Sequence, residues 1–378
     1  DPGCPVCVCG SWTGWRDVEE MVQDSTGSYH FTMTLGETRC EMFYLCLSAN
    51  RRCRIYPAIN RASSKIWIQG PDSAGEGLNW MIDGRDEEVP MGTAYIIHFR
   101  WVEEWMRISW DEVSREFAPA RPSQRHTYSI VGSFSTWQFI DLPQDAEEED
   151  VWTYEVSIGP TGTEEFQFVR DHDWQQAIYP AEGQATTTSI PVRGPDDLGQ
   201  GKNWLVCGAA GDRVSIRLEV FDGKITVEAH SEVRGRKVWK SLQGWSRHQY
   251  CISASWNDWN GEPMAMDPEV PGVFRSRGVM GEEYSEEANA YVEFFQVLVD
   301  GDKNLAMYPE LPYAGSGVCT VQGPDANGED KPWMLKSFCE GAGFEVVLNL
   351  RAVDRRRIVT WTWEQPQKYD WSNWDATL

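Results

Sequence analysis

Gly132-Ser133-Phe134-Ser135-Thr136-Trp137, Phe166-Gln167-Phe168-Val169-Arg170-Asp171-His172-Asp173-Trp174, Ile178-Tyr179-Pro180, Gly194-Pro195-Asp196 and Asn203-Trp204 follow one another mid-chain, and this order of landmarks occurs twice more. Upstream stand Gly10-Ser11-Trp12-Thr13-Gly14-Trp15, Ile55-Tyr56-Pro57, Gly70-Pro71-Asp72 and Asn79-Trp80. Downstream stand Ala254-Ser255-Trp256-Asn257-Asp258-Trp259, Met307-Tyr308-Pro309, Gly323-Pro324-Asp325 and Pro332-Trp333. Trp12, Phe134 and Trp256 are spaced by 122 residues at each step. A period this long repeats whole domains rather than the short units of a solenoid. Three domains of ordinary size are therefore expected, over residues 1–122, 123–247 and 248–378.

Within each copy the periodicity is that of strands. Tyr154-Glu155-Val156-Ser157-Ile158, Phe166-Gln167-Phe168 and Val214-Ser215-Ile216-Arg217-Leu218-Glu219-Val220 alternate apolar and polar residues, as half-buried strands do. Asp222-Gly223 supplies the positive φ angles of a tight hairpin. No long helical pattern is present. About seven strands per copy, punctuated by Gly, Pro and Asp, give an all-β chain of three tandem immunoglobulin-like or starch-binding-like β-sandwiches. Phe117-Ala118-Pro119-Ala120-Arg121-Pro122-Ser123 reads as the first junction, and Gln243 to Arg247 as the second. Short linkers favour copies held in fixed contact.

The net charge is -24 at pH 7 and every copy is acidic, which argues against nucleic acid and anionic lipid as partners. No apolar run reaches the length of a membrane span. The first residue is Asp1, which reads as a processed product, with an organelle such as a plastid or an oxidising compartment favoured over the cytoplasm. Cys4, Cys7, Cys9, Cys40, Cys46 and Cys53 crowd the first copy and are candidates for disulfides, for buried thiols or for a metal. The six histidines show no paired spacing, and no hydrolase elbow, zinc helix or nucleotide fingerprint occurs. This leaves no expected catalytic constellation, metal centre or cofactor. The loop Gly194 to Trp204 lacks a phosphate-loop ending and reads as a structural turn whose Trp204 closes the sandwich edge. Asp171-His172-Asp173 reads as a solvated turn.

Gly-Ser-Phe-x-x-Trp followed by Phe-x-Phe-Val-x-Asp-x-x-Trp resembles the starch- and glycogen-binding β-sandwich modules, including the glycogen-binding domain of AMP-activated kinase β subunits. The resemblance covers about the first half of each copy. It implies a platform of two tryptophans for glucose rings, carried over here onto Trp137 and Trp174, with Gln167 at the family's basic position. The first copy has Trp15 and Arg51 at the platform positions and the third has Trp259 and Lys303, so the middle copy is the expected site. The function this implies is non-catalytic binding of a glucan-type carbohydrate. A second reading comes from the 20 tryptophans, a residue favoured as an anchor at interfaces, and from an aromatic tail with Tyr369, Trp371 and Trp374. It is a structural subunit docked on other protein subunits of a large assembly. The chain is also similar to tandem-repeat proteins of unicellular algae, which implies a peripheral subunit of a plastid or photosynthetic complex.

Overall fold

The computed structural model describes residues 3–103, 105–114 and 126–364. Within them the chain is built of antiparallel strands and single-turn 3-10 helices. The first junction expected from sequence and the tail with Tyr369, Trp371 and Trp374 lie outside the described residues. Two compact units form, Asp1–Arg247 and His248–Leu378.

The first unit holds two pairs of sheets. In residues 126–247 the larger sheet runs Ile140–Asp141, Tyr128–Gly132, Thr163–Arg170, Ala177–Pro180, Val192–Asp196, with Trp204–Cys207 also paired to Thr163–Arg170. The smaller sheet runs Val151–Ser157, Arg213–Phe221, Lys224–Ser231, Gly235–Lys240. Tyr128, Ile130, Phe166, Phe168 and Trp204 from one sheet share a core with Trp152, Ile216, Leu218, Val227 and Trp239 from the other. The sandwich follows directly from the alternation: Val214, Ile216, Leu218 and Val220 are buried while Ser215, Arg217 and Glu219 face outward. Asp222 and Gly223 turn the hairpin with φ of +49° and +72°. The other sheet pair of this unit has Val6–Gly10, Cys40–Leu47, Asn50–Pro57 and Ile68–Asp72 in the larger sheet, and Ser28–Thr34, Ala94–Val102 and Trp105–Ser114 in the smaller. In the second unit, Tyr250–Ala254, Ala290–Val299, Ala306–Pro309 and Val321–Asp325 run in the same order, against Val273–Val279, Gly343–Asn349 and Val359–Trp363.

Trp204 lies in the middle of the core rather than at its edge. Trp80, Trp204 and Trp333 are buried and pack on Phe43, Phe166 and Phe295 at 5.6, 5.4 and 5.3 Å between ring centres. Two further devices recur three times. Ser11, Ser133 and Ser255 each donate from the hydroxyl to a buried carboxylate, on Glu41, Glu164 and Glu293. The same carboxylates accept the backbone N–H of Gly36, Gly159 and Gly281. The Tyr-Pro and Gly-Pro-Asp landmarks form the other device. The hydroxyls of Tyr56, Tyr179 and Tyr308 donate to Asp72, Asp196 and Asp325 at 2.9, 2.6 and 2.9 Å. Each carboxylate also accepts a backbone N–H two residues on, pinning the loop that follows.

The glycine of this latch is dictated by space. Gly194 has φ +93°, and a Cβ there would sit 2.1 Å from the carbonyl oxygen of Ala177 on the neighbouring strand. Gly211 has a similar φ of +90° but nothing within 4 Å. Gly211→Ala should therefore cost only the roughly 1–2 kcal/mol of a left-handed backbone, whereas Gly194→Ala must also displace a paired strand. Urea midpoints of the full-length variants test this, with Gly194→Ala expected to be clearly the less stable.

Candidate functional site

Two turns on one edge of the middle sandwich carry the exposed indoles. After Tyr128–Gly132 the chain makes the 3-10 turn Ser133–Ser135, and Thr136 and Trp137 follow with φ of +53° and +61°. The Trp137 N–H donates to the carbonyl of Gly132 at 2.9 Å, which closes the turn and leaves the ring 41% exposed. After Thr163–Arg170, Asp171 and His172 also take positive φ, and Asp173 caps the 3-10 turn Trp174–Gln176 by accepting the N–H of Gln175. Trp174 is 46% exposed. Phe139 backs it at 5.4 Å and stacks in turn on His172, whose Nε2 bonds Asp141 at 2.5 Å.

Trp137 and Trp174 line one cavity of about 590 Å3 together with Gln167, Gln175, Asp197, Gly199, Gln200, Gly201 and Asn203. Gln167 is 4% exposed, and its amide nitrogen donates to the carbonyls of Gly199 and Lys202. It therefore fastens the wall of the cavity, although the alternation of its strand places it on a solvated face. The loop Gly194 to Trp204, read from sequence as a structural turn, supplies that wall. Asn203 donates to Glu165 at 2.7 Å, and Asp197 pairs with Arg61. Gln175, Asp197, Gln200 and Asn203 were not expected in the site, since their loops carry no motif beyond turn-forming residues. The exposed indoles mark the site, and the polar wall follows only from how the latch folds the loop back.

Residues from the first half of the unit buttress the Trp174 turn. Trp15 Nε1 donates to Asp173 at 3.0 Å, and Gln175 accepts from Asn60 at 3.2 Å and donates to the carbonyl of Gly77 at 3.3 Å. Trp15, the first copy's counterpart of Trp137, is thus spent on this contact and stacks on Tyr44. Beneath it runs a seam of buried charge. Arg170 is fully buried and donates to Gln176 at 2.7 Å, to Thr38 at 2.5 Å and to the carbonyl of Cys40 at 3.2 Å. His126 bridges Glu41 at 3.0 Å and Asp171 at 2.5 Å, and the Arg39 guanidinium grips Asp222 through two nitrogens. Asp171 is thus a buried partner and not the solvated turn residue expected from its neighbours.

Of the alternatives open for the six cysteines of the first copy, disulfides, buried thiols or a metal, the structure shows free thiols. Cys7, Cys9 and Cys46 gather with Tyr44 in one buried cluster, Cys40 is buried, and Cys4 and Cys53 are partly exposed. Burial first, then the neighbouring Cys7 and Cys9, push the Cys46 thiol up to about 12, so it stays protonated. Among the described residues, no group of three His, Cys, Asp or Glu side chains is placed to hold a metal, and no helix is long and apolar enough to cross a membrane. No protein-family model matches the chain, nor does any curated protein sequence.

The seam has a pH signature. Burial and Arg170 press the His126 pKa down, but Glu37, Glu41 and Asp171 outweigh them and raise it to about 10 from the ordinary 6.5. A group raised on folding stabilises fully below its unfolded value, and that contribution is lost as pH climbs from about 6.5 through about 10. Stability of the wild-type chain should fall across this window. His126→Gln should flatten the dependence while lowering stability at pH 7 by roughly 3–5 kcal/mol, the usual effect of stranding a buried charge. Denaturant titrations at several pH values measure both.

Proposed function

We propose that this protein is a non-catalytic carbohydrate-binding protein, with the Trp137–Trp174 cavity taking a glucan-type chain. The observation that carries the reading is the pairing of two half-exposed indoles in one cavity whose remaining polar groups are amides and a single carboxylate. A pyranose has an apolar face of C–H groups and a rim of hydroxyls. Indole rings suit the first, and the amides of Gln175, Gln200 and Asn203 and the Asp197 carboxylate, which line the same cavity, supply polar atoms for the second. The volume suits a ligand of more than one ring by the usual range of about 300–1,000 Å3 for small-molecule sites. Hydrolysis of a glycosidic bond ordinarily needs two carboxyl groups, whereas Asp197 stands alone in the lining and is paired with Arg61. Backing of Trp174 by Phe139, and of its turn by Trp15 and Asn60, sets the rings before ligand arrives, which limits the ordering cost of binding.

Calorimetry and indole fluorescence with maltoheptaose test this on the full chain. Trp137→Ala and Trp174→Ala should each weaken binding about 5- to 150-fold, given roughly 1–3 kcal/mol for a ring stacked on an aromatic side chain. Both rings are half exposed, so the variants should keep the wild-type melting temperature within a few degrees. Trp259→Ala in the second unit should leave affinity unchanged. No binding by the wild-type chain, or undiminished binding by both site variants, would sink the proposal.

A further inference from the structure

The six histidines have no paired spacing in the sequence, but strand register creates a pair. Ser28–Thr34 and Ala94–Val102 are neighbours in the smaller sheet of the first sandwich, and His30 stands directly opposite His98. Their alternation partners Tyr29 and Phe99 face the core, so both imidazoles project from the outer face, each about 30% accessible. The two Nδ1 atoms face one another at 2.8 Å with the rings at 85°.

A carboxylate stands near each of the other ring nitrogens. His30 Nε2 bonds Asp24 Oδ2 at 2.6 Å, and His98 Nε2 lies 3.3 Å from Asp111. Asp24 is itself held in place, its Oδ1 accepting the backbone N–H of Thr26 and Ser28 and the Thr26 hydroxyl. Ionised carboxylates only accept, so His30 Nε2 carries that ring's proton and its Nδ1 presents a lone pair, which accepts from His98 Nδ1–H. Moving that one proton to Nε2 of His98 leaves two imidazole lone pairs side by side across the sheet. Carboxylates behind two imidazoles are the outer-shell arrangement that fixes the tautomer of metal-binding histidines.

We infer that His30 and His98 form a binding site for a divalent transition metal through their Nδ1 atoms, with Asp24 and Asp111 as outer-shell partners. Two imidazoles without a thiolate follow the ordinary order of divalent-metal affinities, so Ni2+ and Cu2+ are the strongest probes of the pair. Among the described residues no third His, Cys, Asp or Glu joins the pair, so water completes the coordination. The site lies on the outer face of a different sheet from the Trp137–Trp174 cavity and does not depend on the sugar reading.

Calorimetric titration of the full-length protein with Ni2+ tests it, comparing wild type with His30→Ala, His98→Ala and Asp24→Asn. The free thiols contribute the same background to all four, so the difference isolates the histidine pair. One site is expected in the wild type, lost in both alanine variants. In Asp24→Asn it should be weakened about 10- to 100-fold, the usual effect of removing an outer-shell partner, because Asn keeps the turn but cannot accept from Nε2. Metal-free melting curves establish that the variants fold. Should an alanine variant fail to fold, electron paramagnetic resonance of the wild type with one equivalent of Cu2+ decides the matter through splitting from two equivalent imidazole nitrogens. Identical isotherms for wild type and His98→Ala, or a Cu2+ signal of thiolate character alone, would overturn the assignment. So would rings that share a proton and take up no metal.

Discussion

Arg170 has no water to turn to. Its guanidinium is buried where the two sandwiches of the first unit meet, and its donors are met by Thr38 and Cys40 from one sandwich and Gln176 from its own. Removing a guanidinium from water is expensive, and the cost is offset only if every donor finds an acceptor and a counter-charge is near. Glu41 supplies the charge, and it serves at the same time as partner to His126 and to the Ser11 hydroxyl. Such a seam is all or nothing. Sliding one sandwich over the other would strand several buried ions together, so the relative placement of the two is specified more sharply than apolar packing alone would specify it.

That specification reaches the cavity through a short stretch of chain. Arg170, Asp171, Asp173, Trp174, Gln175 and Gln176 are consecutive or nearly so, and they alternate between seam and site. Asp171 is bound to His126, Asp173 to Trp15, and Gln175 to Asn60, while Trp174 and Gln175 line the open cavity. The first sandwich gave up its own exposed ring in this arrangement, since Trp15 is the counterpart of Trp137. In the second unit Trp259 is exposed but Lys303 stands where Trp174 would be, so the two platform positions offer one ring rather than two. The frame is common to all copies: the Ser–Glu pairs, the Tyr–Asp latches and the Trp–Phe contacts. The differences lie in the loops that project from it and in the edge strands, such as Gly235–Lys240 in residues 126–247 and Tyr284–Ser285 in the second unit.

The same division governs what could be read from the chain. The all-β class, the strands of the smaller sheets and the Asp222-Gly223 hairpin follow from local pattern, because a strand with one wet face advertises itself by alternation. Gly194 and Asp196 were visible as landmarks, and their physical meaning, a close strand approach and a tyrosine latch, needed the fold. Asp171 was read as part of a solvated turn, and the burial of Gln167 and Arg170 had no signal in the sequence, because the face of Thr163–Arg170 that carries them is covered by a loop and by another sandwich. A polar residue on a covered face looks the same in sequence as one on a wet face. His30 and His98 are 68 residues apart, and only register brings them together. Trp137 and Trp174 were singled out by the resemblance to starch- and glycogen-binding modules, and the structure leaves both rings half exposed.

The seam also bears on how such a chain could have arisen and how it could be divided. A binding module is commonly thought of as portable, a segment that folds wherever it is spliced. Here the segment bearing the cavity carries half of a buried ionic lattice on its flank, and the matching half belongs to its neighbour. Trp15, at the position of Trp137, braces the Trp174 turn of the neighbouring sandwich, so the shape of the cavity belongs to the pair. Recombination that separated them would leave an incomplete lattice behind in each product, which makes the pair, and not the repeat, the piece that evolution can move.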